Sequence, residues 1–192
     1  MSYGFALPST QLSYTIVDGN ATIIGAIPGS NLTDLVIPAT VSDPNNSNVY
    51  PIVAIAEHAF ENKGITSVSF AENSSLQSIG KSAFEKNNLT SITFPASLQS
   101  IGNSAFEENN NLTSVSFAEN SSLQSIGDSA FGFSDIGSLI FPASLETIGN
   151  SAFEDNNLTS ITFPASLQSI GNAAFLNNTN LSISFAGTSA EV

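Results

Sequence analysis

The stretch Leu89 to Glu107, LTSITFPASLQSIGNSAFE, returns almost letter for letter from Leu158 to Phe175, and in looser form five more times. Units begin at Ile65, Leu89, Leu112, Ile136, Leu158 and Leu181, at separations of 24, 23, 24, 22 and 23 residues. A period in this range marks a solenoid, in which each copy is one coil and only stacking on its neighbours buries the coil's flat faces. Copies reading FAENSSLQ (Phe70 to Gln77, Phe117 to Gln124) are two residues longer between Phe and Leu than copies reading FPASLQ.

Within one unit the periodicity changes. Ser91-Ile92-Thr93-Phe94-Pro95 alternates polar and apolar, the pattern of a half-buried strand. Leu98 and Ile101 follow three apart. Gly102 then offers a turn at positive φ, Ala105 and Phe106 read as one short helical turn, and Asn109 to Asn111 close the unit in a turn-prone cluster. Ile92, Phe94, Leu98, Ile101, Ala105 and Phe106 should therefore point inward. The phenylalanines at 84, 106, 131, 153 and 175 should stack beneath one another.

The ends differ from the array. Residues 1–31 divide into a flexible lead-in, 1–11, and an N-terminal β-hairpin cap in which two β-prone runs flank Asp18-Gly19-Asn20, a strong hairpin signal. The repeat region spans 32–185, six to seven units of 22–25 residues, and 186–192 is a tail. Its first unit, LTDLVIPATV from Leu32, is degenerate and is stretched by Ser42 to Pro51, a turn-forming insertion expected to bulge as a loop. No covering element follows the strand Leu181 to Phe185, so the C-terminal edge is expected to stay open and to invite self-association.

The pattern LxxIxFPxxLxxIGxxAFxxN, running from about Leu32 to Phe185, resembles the leucine-rich repeat of BspA-like surface proteins, the type first noted in Treponema. The resemblance implies a right-handed leucine-rich-repeat solenoid, mainly β with short helical turns, on a secreted or cell-surface bacterial protein engaged in adhesion or host contact. One departure stands out. The family often carries Cys three residues after the Ala-Phe pair, where this chain has Asn87, Asn109, Asn156, Asn178 and once Ser134. An Asn amide can satisfy turn backbone groups, so the exchange reads as structural.

Composition narrows the partners. Three basic residues against sixteen acidic ones give a net charge of −13, which repels nucleic acid and anionic membrane surfaces. The same excess keeps a surface rich in Ser, Thr and Asn soluble. There is no Cys, hence no disulfide framework and no thiolate metal site. No run reaches the roughly 18–20 apolar residues of a membrane span, and the first residues lack the basic-then-apolar mark of a signal peptide.

Candidate chemistry is sparse. The single His58 stands where other copies have Ser, without a second His or Cys to form a metal cluster, and no G-x-S-x-G elbow occurs. Glu85, Glu107-Glu108 and Glu154-Asp155 follow the Ala-Phe pairs and should line one edge. Oxygen-rich edges can bind Ca²⁺, but the spacing fits no defined calcium loop, so a solvated ridge is the simpler reading. Sequons such as Asn88-Leu89-Thr90, Asn111-Leu112-Thr113 and Asn157-Leu158-Thr159 arise because the repeat itself spells NLT. No catalytic residue, cofactor or metal is assigned.

The outward strand positions are the informative surface: Ser91 and Thr93, Ser114 and Ser116, Ser138 and Ile140, Ser160 and Thr162. They form a field of small hydroxyls without the Trp, Tyr and Arg of tight hot spots, suited to a broad protein contact. Ile140 and Phe133 are the exceptions. They read either as an apolar anchor or, for Phe133, as filler beside Gly132. Three functions follow: a non-enzymatic protein-binding or adhesion module, a structural array that spaces or self-assembles, and a binder of a repetitive surface such as glycan or ice. The last draws on the strand spacing of about 4.7–4.9 Å, and Pro95, Pro142 and Pro164 interrupt it.

Overall fold

The computed structural model describes residues 5–6, 11–30, 32–43 and 46–186, and in these the chain winds as a stack of coils with no helix. Three strands open it: β1 (Phe5–Ala6), β2 (Leu12–Val17) and β3 (Asn20–Ala26). Asp18 and Gly19 both take positive φ, 48° and 77°, the type I′ geometry that Asp-Gly favours, so β2 and β3 pair antiparallel. Within the lead-in expected to be flexible, Phe5–Ala6 form β1, which pairs with β2. Residues 1–4 and 7–10 lie outside the described residues, as do 187–192 of the tail.

The first coil holds β4 (Asp34–Ile37), β5 (Thr40–Ser42) and β6 (Val49–Ile55). Here the insertion corrects the expectation of a bulging loop: β5 and β6 pair antiparallel from Thr40↔Pro51 to Ser42↔Val49. The β-prone residues Thr40, Val41, Val49 and Tyr50 on either side of the turn-forming run make it a hairpin. Tyr14 on β2 donates its hydroxyl to the Ser42 carbonyl at 3.0 Å and ties the two hairpins together. Burial pushes this phenol above its ordinary range, and the Asp43 charge adds to the shift.

The next three coils each contribute a four-residue strand and a two-residue strand. These are β7 (Ser67–Phe70) and β8 (Ser78–Ile79), β9 (Ser91–Phe94) and β10 (Ser100–Ile101), then β11 (Ser114–Phe117) and β12 (Ser125–Ile126). The next coil has only β13 (Thr147–Ile148), followed by β14 (Ser160–Phe163), β15 (Ser169–Ile170) and finally β16 (Ser182–Phe185). The continuous sheet runs through the short strands, in the order β3-β6-β8-β10-β12-β13-β15 with β1 and β2 closing its N-terminal edge. Register is strict, Ile79, Ile101, Ile126, Ile148 and Ile170 standing one above another.

Gly102 does not turn at positive φ. Among the described residues the glycines with positive φ are Gly19, Gly25, Gly29 and Gly64. Gly80, Gly102, Gly127, Gly149 and Gly171 form instead a column of close approach: a Cβ on any of them would lie 2.4–2.8 Å from an atom of the preceding coil, a distance no side chain tolerates. The left-handed backbone falls two residues later, on His58, Ser82, Ser104, Ser129, Ser151 and Ala173, with φ of 51–56°. It recurs four residues on at Asn62, Lys86, Glu108, Phe133, Asp155 and Asn177.

These two positions explain why the expected helical turn is absent. The Ala105 and Glu107 amides close local turns on Gly102 and Ser104. The alternate amides of Ser104, Phe106 and Glu108 reach the carbonyls of Asp128, Ala130 and Gly132 in the next coil at 2.7–3.0 Å. An α-helix spends its amides within itself; alternating φ lets half of them bond between coils.

The interior follows the repeat. Ile92, Phe94, Leu98, Ile101, Ala105 and Phe106 are all buried, and one apolar core continues through the stack. Phe60, Phe84, Phe106, Phe131, Phe153 and Phe175 stack face to face, with ring centroids 5.2–5.4 Å apart. Beside them runs the asparagine ladder. Asn109 donates to the carbonyls of Phe84 and Phe106, both at 2.9 Å, and accepts from the Leu89 amide at 3.3 Å. Asn87, Asn156 and Asn178 repeat the pattern. Ser134 is too short to do so, and its buried hydroxyl has no partner among the described residues.

Phe106→Ala should cost roughly 3–5 kcal/mol in a chemical or thermal melt, because it opens a cavity in the middle of the stack. Asn109→Ala strands buried carbonyls and should cost roughly 1–3 kcal/mol for each group left without a partner. The same change at exposed Asn111 should stay within about 0.5 kcal/mol.

Candidate functional site

The alternation of the four-residue strands puts Ile92, Val115, Leu139 and Ile161 inside and all eight predicted surface residues outside. Ser91, Thr93, Ser114, Ser116, Ser138, Ile140, Ser160 and Thr162 are exposed on one side of the stack, and Ile140 is 85% exposed. They are brought together only in part. Ser91 and Thr93 lie in register with Ser114 and Ser116 across β9 and β11, with the Thr93 and Ser116 hydroxyls 2.7 Å apart. Ser160 and Thr162 pair instead with Ser182 and Ser184, and the Thr162 and Ser184 hydroxyls are also 2.7 Å apart. Ser138 makes a single bridge to Ser114, and Ile140 stands outside any ladder.

This face is therefore not the flat continuous sheet that the repeat suggested. Its strands pair in twos, β4 with β7, β9 with β11 and β14 with β16. The residue after each strand decides which. Ala71, Ala118 and Ala186 donate their amides to the carbonyls of Ile37, Phe94 and Phe163 in the preceding coil, at 2.8–2.9 Å. At the intervening junctions that place is taken by Pro95, Pro142 and Pro164, which have no N–H to give. The phenylalanines beneath register the difference, with centroids 5.5 Å apart for Phe94 and Phe117 but 6.3 Å for Phe70 and Phe94.

Two equivalent grooves open where a long-loop coil meets a proline coil. One, about 620 Å³, lies between Ser67–Ser74 and Ser91–Ser97. The other, about 730 Å³, lies 47 residues further along each wall, between Ser114–Ser121 and Ser138–Ala143. Their size is that of small-ligand clefts, with hydroxyl walls over an apolar floor, and Ile140 stands in the second. Phe133, 44% exposed, belongs to the turn ridge in the column of Glu108 and Asp155, outside that groove, so the two residues form no joint anchor. A Cβ at the neighbouring Gly132 would meet ordinary contacts from 3.5 Å outward. The grooves were missed in the sequence, where the Ala/Pro exchange after each strand was their signal.

The turn ridge that follows the Ala-Phe pairs carries the ion pairs. Lys86 pairs with Glu85 and, at 3.3 Å, with Glu108, and these partners push the ammonium up from its ordinary value. Burial pushes the Glu85 carboxyl up, but hydrogen bonds from Lys86 and Ser82 and the charges of Lys86 and His58 outweigh it and hold the group low. A lowered carboxyl stabilises the fold above its unfolded-state value and stops doing so as the pH falls through the folded one. His58 meets Glu61 at 2.7 Å on the surface. Asn157 and Asn177 donate to Asp135 and Asp155 at 2.7 and 3.0 Å, within the ridge. No three His, Cys, Asp or Glu side chains gather as a metal site among the described residues, and no helix there is long and apolar enough to cross a membrane.

A stack of two-strand coils with 22–24-residue spacing, a phenylalanine spine and an Asn ladder defines a leucine-rich-repeat solenoid. Residues 52–183 match six copies of the BspA type leucine rich repeat region, and the chain belongs to that family. Among solved structures it is similar to a leucine rich cell surface protein from Faecalibacterium prausnitzii, at 25% identity and a TM-score of 0.67, over 96% of this chain and 54% of that one. It is also similar in fold to the pneumococcal vaccine antigen PcpA, at 18% identity and a TM-score of 0.63, over 96% and 71% of the two chains. The leucine rich repeat protein of T. pallidum gives 20% identity and a TM-score of 0.59, over 93% and 71%. The chain thus spans about half of the Faecalibacterium protein. No curated protein sequence matches it.

Pro95→Ala restores a donor facing the Phe70 carbonyl and should join β7 to β9, narrowing the first groove. Amide hydrogen exchange is the check: the new amide at position 95 should be protected as the Ala118 amide is, and exchange at the open-chain rate would refute the proline rule.

Proposed function

We propose that the chain is a non-enzymatic protein-binding module of a secreted or cell-surface bacterial protein, an adhesion repeat whose contact face is the exposed side of the four-residue strands. The observation that carries this reading is the division of labour within each coil. Packing demands are met inside the stack, while Ser91, Thr93, Ser114, Ser116, Ser138, Ile140, Ser160 and Thr162 face solvent, the Thr93 and Thr162 hydroxyls pairing with Ser116 and Ser184 and the Ser116 hydroxyl reaching the Ile92 carbonyl. The printed description of the Faecalibacterium protein as a cell surface protein supports the location.

The chemistry of the face suits a protein ligand of mixed character. The grooves offer apolar floors with hydroxyl rims and few charges, and Ile140 supplies a protruding aliphatic side chain. Breaks at the proline junctions make the hydroxyl spacing uneven, which disfavours a lattice ligand such as ice. Nucleic acid and anionic membranes are disfavoured by the net charge of −13.

Immobilised extracellular-matrix and host-surface proteins, tested against the purified chain by biolayer interferometry, should yield at least one saturable ligand. Thr93→Arg and Ile140→Asp should each weaken that binding at least about tenfold, or 1.4 kcal/mol, with the melting temperature unchanged. Uniform failure across the panel, or binding indifferent to both substitutions, would remove the strand face from the role.

A further inference from the structure

We propose that the two grooves are successive pockets for one proline-rich, basic-flanked peptide, laid along the stack axis in the polyproline II conformation with a proline seated in each groove. The inference rests on the reading that the strand face is the contact surface, and it names the kind of segment that face takes.

The two grooves are built alike. The phenylalanines that precede Pro95, Pro142 and Pro164 are buried, Phe94 at 1%, Phe141 at 6% and Phe163 at 2% exposed. In the long-loop coils the equivalent Phe70 and Phe117 are only half-buried, and each lines its groove opposite Pro95 or Pro142. Hydroxyls complete the lining, from Ser69 and Thr93 in the first groove and from Ser116 and Ser138 in the second. An aromatic-lined groove with hydrogen-bond donors on its rim suits a polyproline II segment, whose shape is set before binding and costs little to order.

Spacing selects the ligand's conformation. From Phe70 to Phe117 the ring centroids step by 6.3 Å and then 5.5 Å through Phe94, while two rungs of a strand ladder rise roughly 9.4–9.8 Å. One turn of polyproline II advances about 9.3 Å and returns every third residue to the same side. A β-strand returns a side chain at about 6.8 Å and again at about 13.6 Å, missing that spacing on both sides. Two turns of α-helix, about 10.8 Å, would reach both grooves, but a helix spends its carbonyls internally. It would also have to lay apolar side chains across the strip between the grooves, where Ser91, Thr93, Ser114 and Ser116 stand in register. A polyproline II chain keeps its carbonyls free, and the hydroxyls of this strip donate to them.

Charge selects the flanks. None of the residues lining either groove is basic. The long loops carry Glu72-Asn73 and Glu119-Asn120, all exposed, and Glu72 lines the first groove. Arginines or lysines beside the proline core therefore meet carboxylates at the groove ends, and the net charge of −13 steers such a peptide toward the chain. A neutral glycan gains nothing from this field.

Fluorescence anisotropy with the purified chain tests this, the probe being a labelled peptide of five Pro-Pro-Ser triplets with arginines at both ends. Saturable binding is expected, and a peptide of the same length and charge with alanine for proline should bind at least tenfold more weakly. Ser69→Trp and Ser116→Trp, each filling one groove, should raise the dissociation constant at least tenfold with the circular dichroism spectrum preserved. Pro95→Ala, which adds no bulk, should weaken binding as well. Ser184→Trp, on the same face outside both grooves, should leave it unchanged. Absence of peptide binding, equal binding of the alanine peptide, indifference to the groove substitutions, or displacement of the peptide by chitohexaose would overturn the proposal. If matrix or host-surface proteins still bind through Thr93 and Ile140 in that event, the wider reading of the strand face stands; loss of peptide and protein binding together removes both.

Discussion

Coil-to-coil spacing governs this molecule, and it is set where backbone meets backbone at the glycine column. At Gly80, Gly102, Gly127, Gly149 and Gly171 the preceding coil comes so near that a methyl group has no room. That approach holds the short strands at hydrogen-bonding distance, and with them the phenylalanine rings one coil above at van der Waals contact, 5.2–5.4 Å between centroids. A second file of side chains enforces the same rise. Asn103 accepts from the Asp128 amide, Asp128 from Asn150 and Asn150 from Asn172, at 2.7–3.0 Å. Backbone, ring and amide columns agree on one repeat distance, which is the mutual consistency a funnelled sequence requires.

Much of this was legible because the repeat multiplies every weak signal. One Ala-Phe pair says little; six at a common spacing specify a column, and the inward set around Phe106 is buried as its alternation predicts. The Asp18-Gly19 hairpin was readable from turn chemistry alone. What escaped was inter-coil geometry. Gly102 invites a reading of positive φ, yet the glycine serves proximity, and the left-handed backbone is imposed on Ser104 and Glu108 by the need to send alternate amides to the next coil. A local reading of Ala105-Phe106 favours a helical turn because it cannot see those outside acceptors. The insertion after Ser42 misled for the opposite reason: its turn-forming centre masked two short β-prone arms.

The candidate face was half legible. Period-two alternation places Ser91, Thr93 and their counterparts outward without ambiguity, since a strand with one buried face has no choice. Whether those strands join is decided by one residue in each coil, and Ala and Pro look equally innocuous at the end of a run. Proline withdraws the donor that would close the junction, so the surface divides into pairs with clefts between them. Interior regularity and exterior variety thus coexist, because outward-facing residues and stacking residues alternate along the same strand.

Ala-type and Pro-type coils alternate from Ala71 through Pro95 and Ala118 to Pro142, a module twice as long as the sequence repeat, before Pro164 breaks the alternation. Phe70 and Phe117 occupy equivalent places 47 residues apart, and each is followed by the same cleft. A gene that lengthens or shortens by unequal crossing-over between such doublets keeps every column in phase and adds or deletes one whole cleft. Where two proline coils adjoin, at Pro142 and Pro164, no strand ladder joins them among the described residues. Each added doublet would thus add a cleft without altering the columns that stack the coils.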